Sequence, residues 1–333
     1  MSSPCTLLRT VLVPLLALAL PVGTAAQEAP LGPLTAEDGS PLHRIALTPA
    51  VEGPDPVADG RWRAEVWMGY SNIFEQDSAQ THVLFLDMER LITTFTLRRG
   101  LTPDLEVGGR LTLETTGGGV LDGFISGWHQ ALGVGNANRE RFPSDAYVQR
   151  FSDGGRVRLD VPRRTFHPED LRLFAKWRWL GDDATDEALS VRGVVRIPTA
   201  TNDAGEERTD LAVLLAGRTR WGPTRLHATA GVSTLRARGS LEGILRTSSW
   251  YLTVGAEQRL AGWVSALGQL SLSSPRVRGF ENSEIGGAPI NLVLGFAGRL
   301  GEGWQWEASF QEDVPPDTPS VDFTLGVGLR RTF

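Results

Sequence analysis

Tight turns and long connections alternate along this chain, and that alternation restricts the fold more than any motif does. Segments 61–72, 81–99, 104–116, 170–180, 188–198, 209–221, 224–236, 248–260, 263–274, 288–300, 304–313 and 320–333 read as strands, because apolar and polar residues alternate in them with a period of two. Leu211, Val213 and Leu215 lie on one side of such a strand, Asp210 and Arg218 on the other. Leu101-Thr102-Pro103, Gly222-Pro223, Ala261-Gly262 and Gly301-Glu302-Gly303 form tight turns, and 182–187 a short acidic one. Longer links at 73–80, 117–169, 199–208, 237–247, 275–287 and 314–319 fall between them. Short turns on one side and long loops on the other suit a transmembrane antiparallel β-barrel, with the long loops outside the cell. The expectation is an all-β barrel of about twelve strands over 61–333. A soluble periplasmic β-sandwich binding protein is the competing fold, but nothing in a sandwich would sort the loops in this way.

The ends of the chain agree with that address. Arg9, the apolar run from Val11 to Val22 and Thr24-Ala25-Ala26 read as a signal peptide over 1–26. No later stretch approaches the roughly 18 consecutive apolar residues of a membrane helix. An integral membrane protein of this kind must then be a closed barrel, the one strand architecture that satisfies every backbone group in lipid. Phe323, Leu325, Val327 and Leu329 alternate up to Phe333. That closing aromatic resembles the signal read by the barrel assembly machinery of bacteria, although Arg331 stands where the pattern has an aromatic or apolar residue. Residues 27–60, rich in Pro, Gly and Asp and without a clear period, read as an extended periplasmic lead.

Composition excludes some chemistry. Cys5 is the only cysteine and lies in the signal peptide, so the mature chain has neither disulfide nor thiolate ligand. None of the five histidines has paired-ligand spacing. No metal or cofactor is expected. A net charge of -6 argues against nucleic acid. The expected partners are outer-membrane lipid, lipopolysaccharide and the assembly machinery. Among the basic residues Lys176 is the lone lysine. Trp62, Trp67, Trp177, Trp179, Trp221, Trp250, Trp304 and Trp306 lie near strand ends or turns, where interfacial girdles would put them.

The link 117–169 is the most distinctive segment. Leu121, Phe124, Ile125, Trp128 and Leu132 recur at three- and four-residue spacing, which predicts an amphipathic helix over 120–132 that ends at Gly133. Ser152-Asp153-Gly154-Gly155 predicts a hairpin turn between 146–151 and 156–161; longer arms would make fourteen strands. Gly-Gly-Val-Leu-Asp-Gly-Phe-Ile (118–125), His129, Gly133 and Arg139, with Gly69-Tyr70-Ser71-Asn72 upstream, resemble the signature of a family of proteobacterial outer-membrane proteins of unknown function. The resemblance implies a barrel and supplies no reaction.

Asp122 and His129, about two helical turns apart, would place a polar site against the barrel mouth, with Arg139 following. The plainer reading is a helix whose polar residues face water. An enzyme of lipid or lipopolysaccharide would need a Ser–His–acid set; His129, His167 and His227 are available, with Ser71 or Ser126 as nucleophile. No Gly-x-Ser-x-Gly elbow accompanies them. By strand parity, Arg110, Arg172, Arg192, Arg196, Arg218, Arg220, Arg259 and Arg299 would line the lumen. Paired with acids they would fill it; unpaired in a wider lumen they would favour anions. A passive or gated pore, or a scaffold, is the expected role.

Overall fold

The computed structural model describes residues 29–45, 47–78, 82–123, 127, 141–182, 185–200, 209–234, 239–280, 284–314 and 320–333. The signal peptide thus lies outside the described residues. Twelve antiparallel strands close into a barrel: β1 (Trp62–Ser78), β2 (His82–Thr102), β3 (Leu105–Gly117), β7 (Leu171–Leu180), β8 (Ala188–Ile197), β9 (Asp210–Trp221), β10 (Thr224–Thr234), β11 (Ser248–Ala261), β12 (Val264–Ser273), β13 (Ile290–Arg299), β14 (Trp304–Asp313) and β15 (Phe323–Thr332). Closure is between β1 and β15, from Arg63↔Thr332 to Asn72↔Phe323. Phe333 and Trp62 exchange backbone hydrogen bonds at 2.9 Å each, so the last residue extends that seam.

The period of two explains the two faces. Val66, Met68, Phe95, Leu97, Leu211, Val213, Leu215, Phe296, Leu325 and Val327 are all exposed on the outer wall. An apolar belt of this kind is rare on a protein in water and is what lipid requires. Trp177, Trp179, Trp221, Trp250 and Trp263 are also exposed. Arg99 stacks on Trp62 and Arg331 on Trp304, at 5.2 and 5.1 Å from the ring centroids. Trp67 does not join these girdles. It shares the parity of Glu65 and Gly69, turns inward and is 5% exposed.

Two expected loops take other forms. The 73–80 link is mostly strand, because β1 and β2 run on to Ser78↔Val83 and rise above the ring. The hairpin of β4 (Val148–Asp153) and β5 (Arg156–Asp160) pairs with that raised part of β2, from His82↔Asp153 to Asp87↔Val148. It adds no spanning strands. β6 (His167–Pro168) is a two-residue bridge to β3.

The lead goes further in than an extended periplasmic segment would. Its described residues, 29–45 and 47–60, run inside the barrel. They form a hairpin that enters and leaves at the short-turn end: Arg259 and Arg299 both hold the carbonyl of Ala29, while Gly60 donates to Gly100. At its apex is a single helical turn, α1 (Pro41–Arg44), opened by Pro41 where no backbone donor is needed. Leu42 and Ile45 there enter an apolar cluster with Ile73, Leu84, Leu86, Phe151, Leu241, Phe280 and Val321, which caps the long-loop end.

Candidate functional site

The interior of the barrel is the candidate site, and its two walls meet the lead with opposite chemistry. Strands β11, β12 and β14 offer acceptors to the rising arm. Glu257 accepts from the N–H groups of Leu31 and Gly32 at 3.2 Å, Gln269 from Leu34 at 2.5 Å and Glu307 from Thr35 at 3.0 Å. Leu31 and Leu34 pack on Leu267, Val293 and Ala297 beside these bonds. An extended arm without a sheet partner must satisfy its backbone donors somewhere, and here side chains do it.

Strands β2, β3, β7, β8 and β9 present cations to the upper part of the rising arm, the apex and the descending arm. Arg90, Arg98, Arg110, Arg172, Lys176, Arg178, Arg192, Arg196 and Arg218 point inward and are buried, against Glu106, Glu114 and Asp210. The lead supplies the missing acids. Glu52 meets Arg98 and Arg192 at 2.6 Å and Lys176 at 3.2 Å. Asp55 pairs with Arg218 and Glu37 with Arg110. Wall arginines also reach lead carbonyls: Arg90 to Gly39 at 2.6 Å, Arg196 to Ile45 at 3.0 Å and Arg172 to Thr48 at 3.3 Å. Burial alone would raise the Glu52 carboxyl, but Arg192, Arg98 and Lys176 overcome it and hold the group well below its usual 4.5. Glu169 behaves likewise: burial raises it, and Arg44 and Arg172 pull it down to about 2.

Behind Glu52 the cradle is built by the wall itself. The Phe174 ring lies under both guanidinium groups, 4.0 Å from Arg192 and 4.9 Å from Arg98. Gly108 leaves room for that ring, since a Cβ there would collide with it. Glu106 closes the other side, 2.9 Å from Arg98 and 3.2 Å from Lys176. Between the arms and the wall a cavity of about 340 Å³ remains, which runs from Arg63, Trp67 and Arg330 to Glu52, Arg98 and Lys176 of the cradle. The Trp67 indole N–H is buried there without a partner.

The remaining candidates fall elsewhere. Arg220 pairs with Asp186 at 2.8 Å at the short-turn rim. Phe124, Ile125, Trp128, His129 and Arg139, and with them most of the predicted helix 120–132, lie outside the described residues. Leu121 and Asp122 are described and correct the mouth expectation. Asp122 accepts from Asn72 at 2.9 Å, and the Leu121 N–H reaches Glu89 at 2.5 Å. Asn72 and Glu89 have the parity of the lipid-facing residues, so this strap crosses the outside of β1 and β2. Phe142 continues it, packing on Phe74 and Phe85 at 5.5 and 4.9 Å. The Gly-Tyr-Ser-Asn and Leu-Asp segments of the signature thus meet in space, through Tyr70, Asn72, Glu89 and Asp122.

No hydrolytic set forms among the described residues. His227 faces Glu257 at 3.3 Å, and Ser71 bonds Thr324 at 2.8 Å. His43 pairs with Asp38, and Ser320 donates to the same carboxylate at 3.2 Å rather than to the imidazole.

A family model for a protein of unknown function, DUF3187, matches residues 9–333. The chain belongs to that family. No curated protein matches it. Among solved structures, the COG4313 outer membrane channel from Pseudomonas putida F1 is 14% identical, with a TM-score of 0.55 over 85% of this chain and 100% of that one. The NanC porin is 7% identical, with a TM-score of 0.45 over 80% and 98% of the two chains. The fold shared with the COG4313 channel is an outer-membrane barrel, and with its apolar belt this DUF3187 member resides in the outer membrane of a Gram-negative bacterium. The sequence missed the lumen filling. Its contacts join residues from 46 positions apart, as Glu52 and Arg98 are, to 226, as Leu31 and Glu257 are, and no local period records them.

Proposed function

We propose that this DUF3187 protein is a solute channel closed by its own lead, with the short turns in the periplasm and the long loops outside. The observation that carries this is the nature of the filling. A purely structural barrel can pack its interior with side chains from its strands. This one keeps a polar, charged wall and fills the space with a tethered hairpin that starts and ends at one mouth. Withdrawing the hairpin would expose Leu42 and Ile45 at about 1.5–3 kcal/mol each, and would strand the cations around Glu52. The closed form is therefore the resting state, and openings are rare unless something compensates the wall.

Planar-bilayer recording tests this directly. Full-length protein should show low, infrequent conductance. Deletion of residues 29–58 should give steady openings in protein that still migrates as a folded barrel. A folded deletion variant that conducts no better than the full chain would remove the channel reading and leave a scaffold.

A further inference from the structure

We infer that the channel takes carboxylate-bearing anions, and that the Arg98–Lys176–Arg192 cradle is their binding site with Glu52 as the resident competitor. This rests on the channel reading above. The three cations face two wall acids, Glu65 at 3.0 Å and Glu106 at 2.9 Å from Arg98. One positive charge is left over, and a single carboxylate neutralises it. In the closed form that carboxylate is Glu52. The cradle does not need the lead for its shape. Phe174 carries Arg98 and Arg192, Gly108 makes room for the ring, and Glu106 fixes Lys176, all from the wall. A planar acceptor with two oxygens suits a pair of guanidinium groups better than a spherical halide does.

When Glu52 leaves, the cradle keeps one uncompensated positive charge, which a soluble anion can neutralise in its place. A carboxylate solute supplies that replacement and so binds the open state selectively. Ligand and opening are then coupled, because a species that prefers one of two states shifts the population towards it. Phosphate and chloride share the charge and lack the carboxylate geometry, so they serve as comparison ions.

The experiment uses full-length protein in planar bilayers, with acetate, phosphate or chloride at matched ionic strength on the short-turn side. Acetate should raise the open fraction over chloride on the order of tenfold, within the usual range of ligand-coupled equilibria. Glu52→Gln should open without acetate, and its currents in a salt gradient should reverse on the anion side. Lys176→Gln with Arg192→Gln should abolish the acetate response. Phe174→Leu, which leaves every charge in place, should weaken that response and covers the case in which the double variant fails to fold. A conducting Glu52→Gln channel that prefers cations, or acetate acting no better than chloride on the full chain, would overturn the carboxylate site alone. A folded Glu52→Gln variant that stays silent beside a conducting lead deletion would likewise overturn the carboxylate site alone, whereas a folded lead deletion that stays silent would overturn the channel reading, and this inference with it.

Discussion

Single residues set how firmly the lumen is closed. Glu52 is shared by three cations, so Glu52→Gln removes one charge and leaves three groups without their common partner. Breaking a buried pair from one side costs about 3–5 kcal/mol, whereas the exposed Arg150–Asp160 pair should cost about 0–1 kcal/mol. Glu52→Gln should therefore sharply increase the susceptibility of the lead to added protease, and Asp160→Asn should leave it unchanged. Acid should act on the same lock. The Glu52 carboxyl lies well below 4.5 when docked and near 4.5 when released. Docking is thus fully favoured above about pH 4.5 and weakens as the pH falls towards the depressed value. The open fraction measured against pH should stay flat through neutrality and rise only in acid below the ordinary carboxylate range. A rise centred near pH 6.5 would instead implicate histidine.

At the level of elements, sequence and structure agree where one physical rule dominates. Strands announce themselves by parity, since a wall with lipid on one side must alternate. The same parity already contained the inward turn of Trp67, which proximity to a strand end had hidden. The strap and the lead were not legible. Asp122 sits against Asn72, fifty positions earlier, because a glycine-rich segment permits a reversal that no period records. The lead has no period because its backbone bonds go to side chains of distant strands. Asp122→Ala should loosen the strap and increase proteolysis after Gly117 without changing conductance. Thiol labelling fixes the sides: in intact cells Ser144→Cys should react with an impermeant reagent and Gly262→Cys should not. The opposite pattern would reverse the orientation.

For the whole molecule, the expectation is that the twelve-strand ring and its seam hold the fold without the filling. Unheated protein in SDS should migrate anomalously and shift on boiling, with or without residues 29–58. Loss of that shift on deleting the lead would make the hairpin a structural post. Deleting Phe333 removes both of its backbone bonds to Trp62. The amount of heat-modifiable protein should then fall in outer-membrane fractions, as expected if the terminal aromatic is also read during assembly.

Both feet of the inner hairpin stand at the same mouth of the barrel, Ala29 beside Arg259 and Arg299 and Gly60 beside Gly100. No free terminus has to be threaded through a finished ring. The chain can be inserted as a doubled cord after the seam has zipped and drawn out again by the way it came, without creating or undoing a knot. Maturation can therefore proceed in two stages, an empty pore first and its stopper later. On the channel reading, a newly inserted barrel would leak until that second event, and for that interval envelope permeability would depend on how fast a short tether finds its socket.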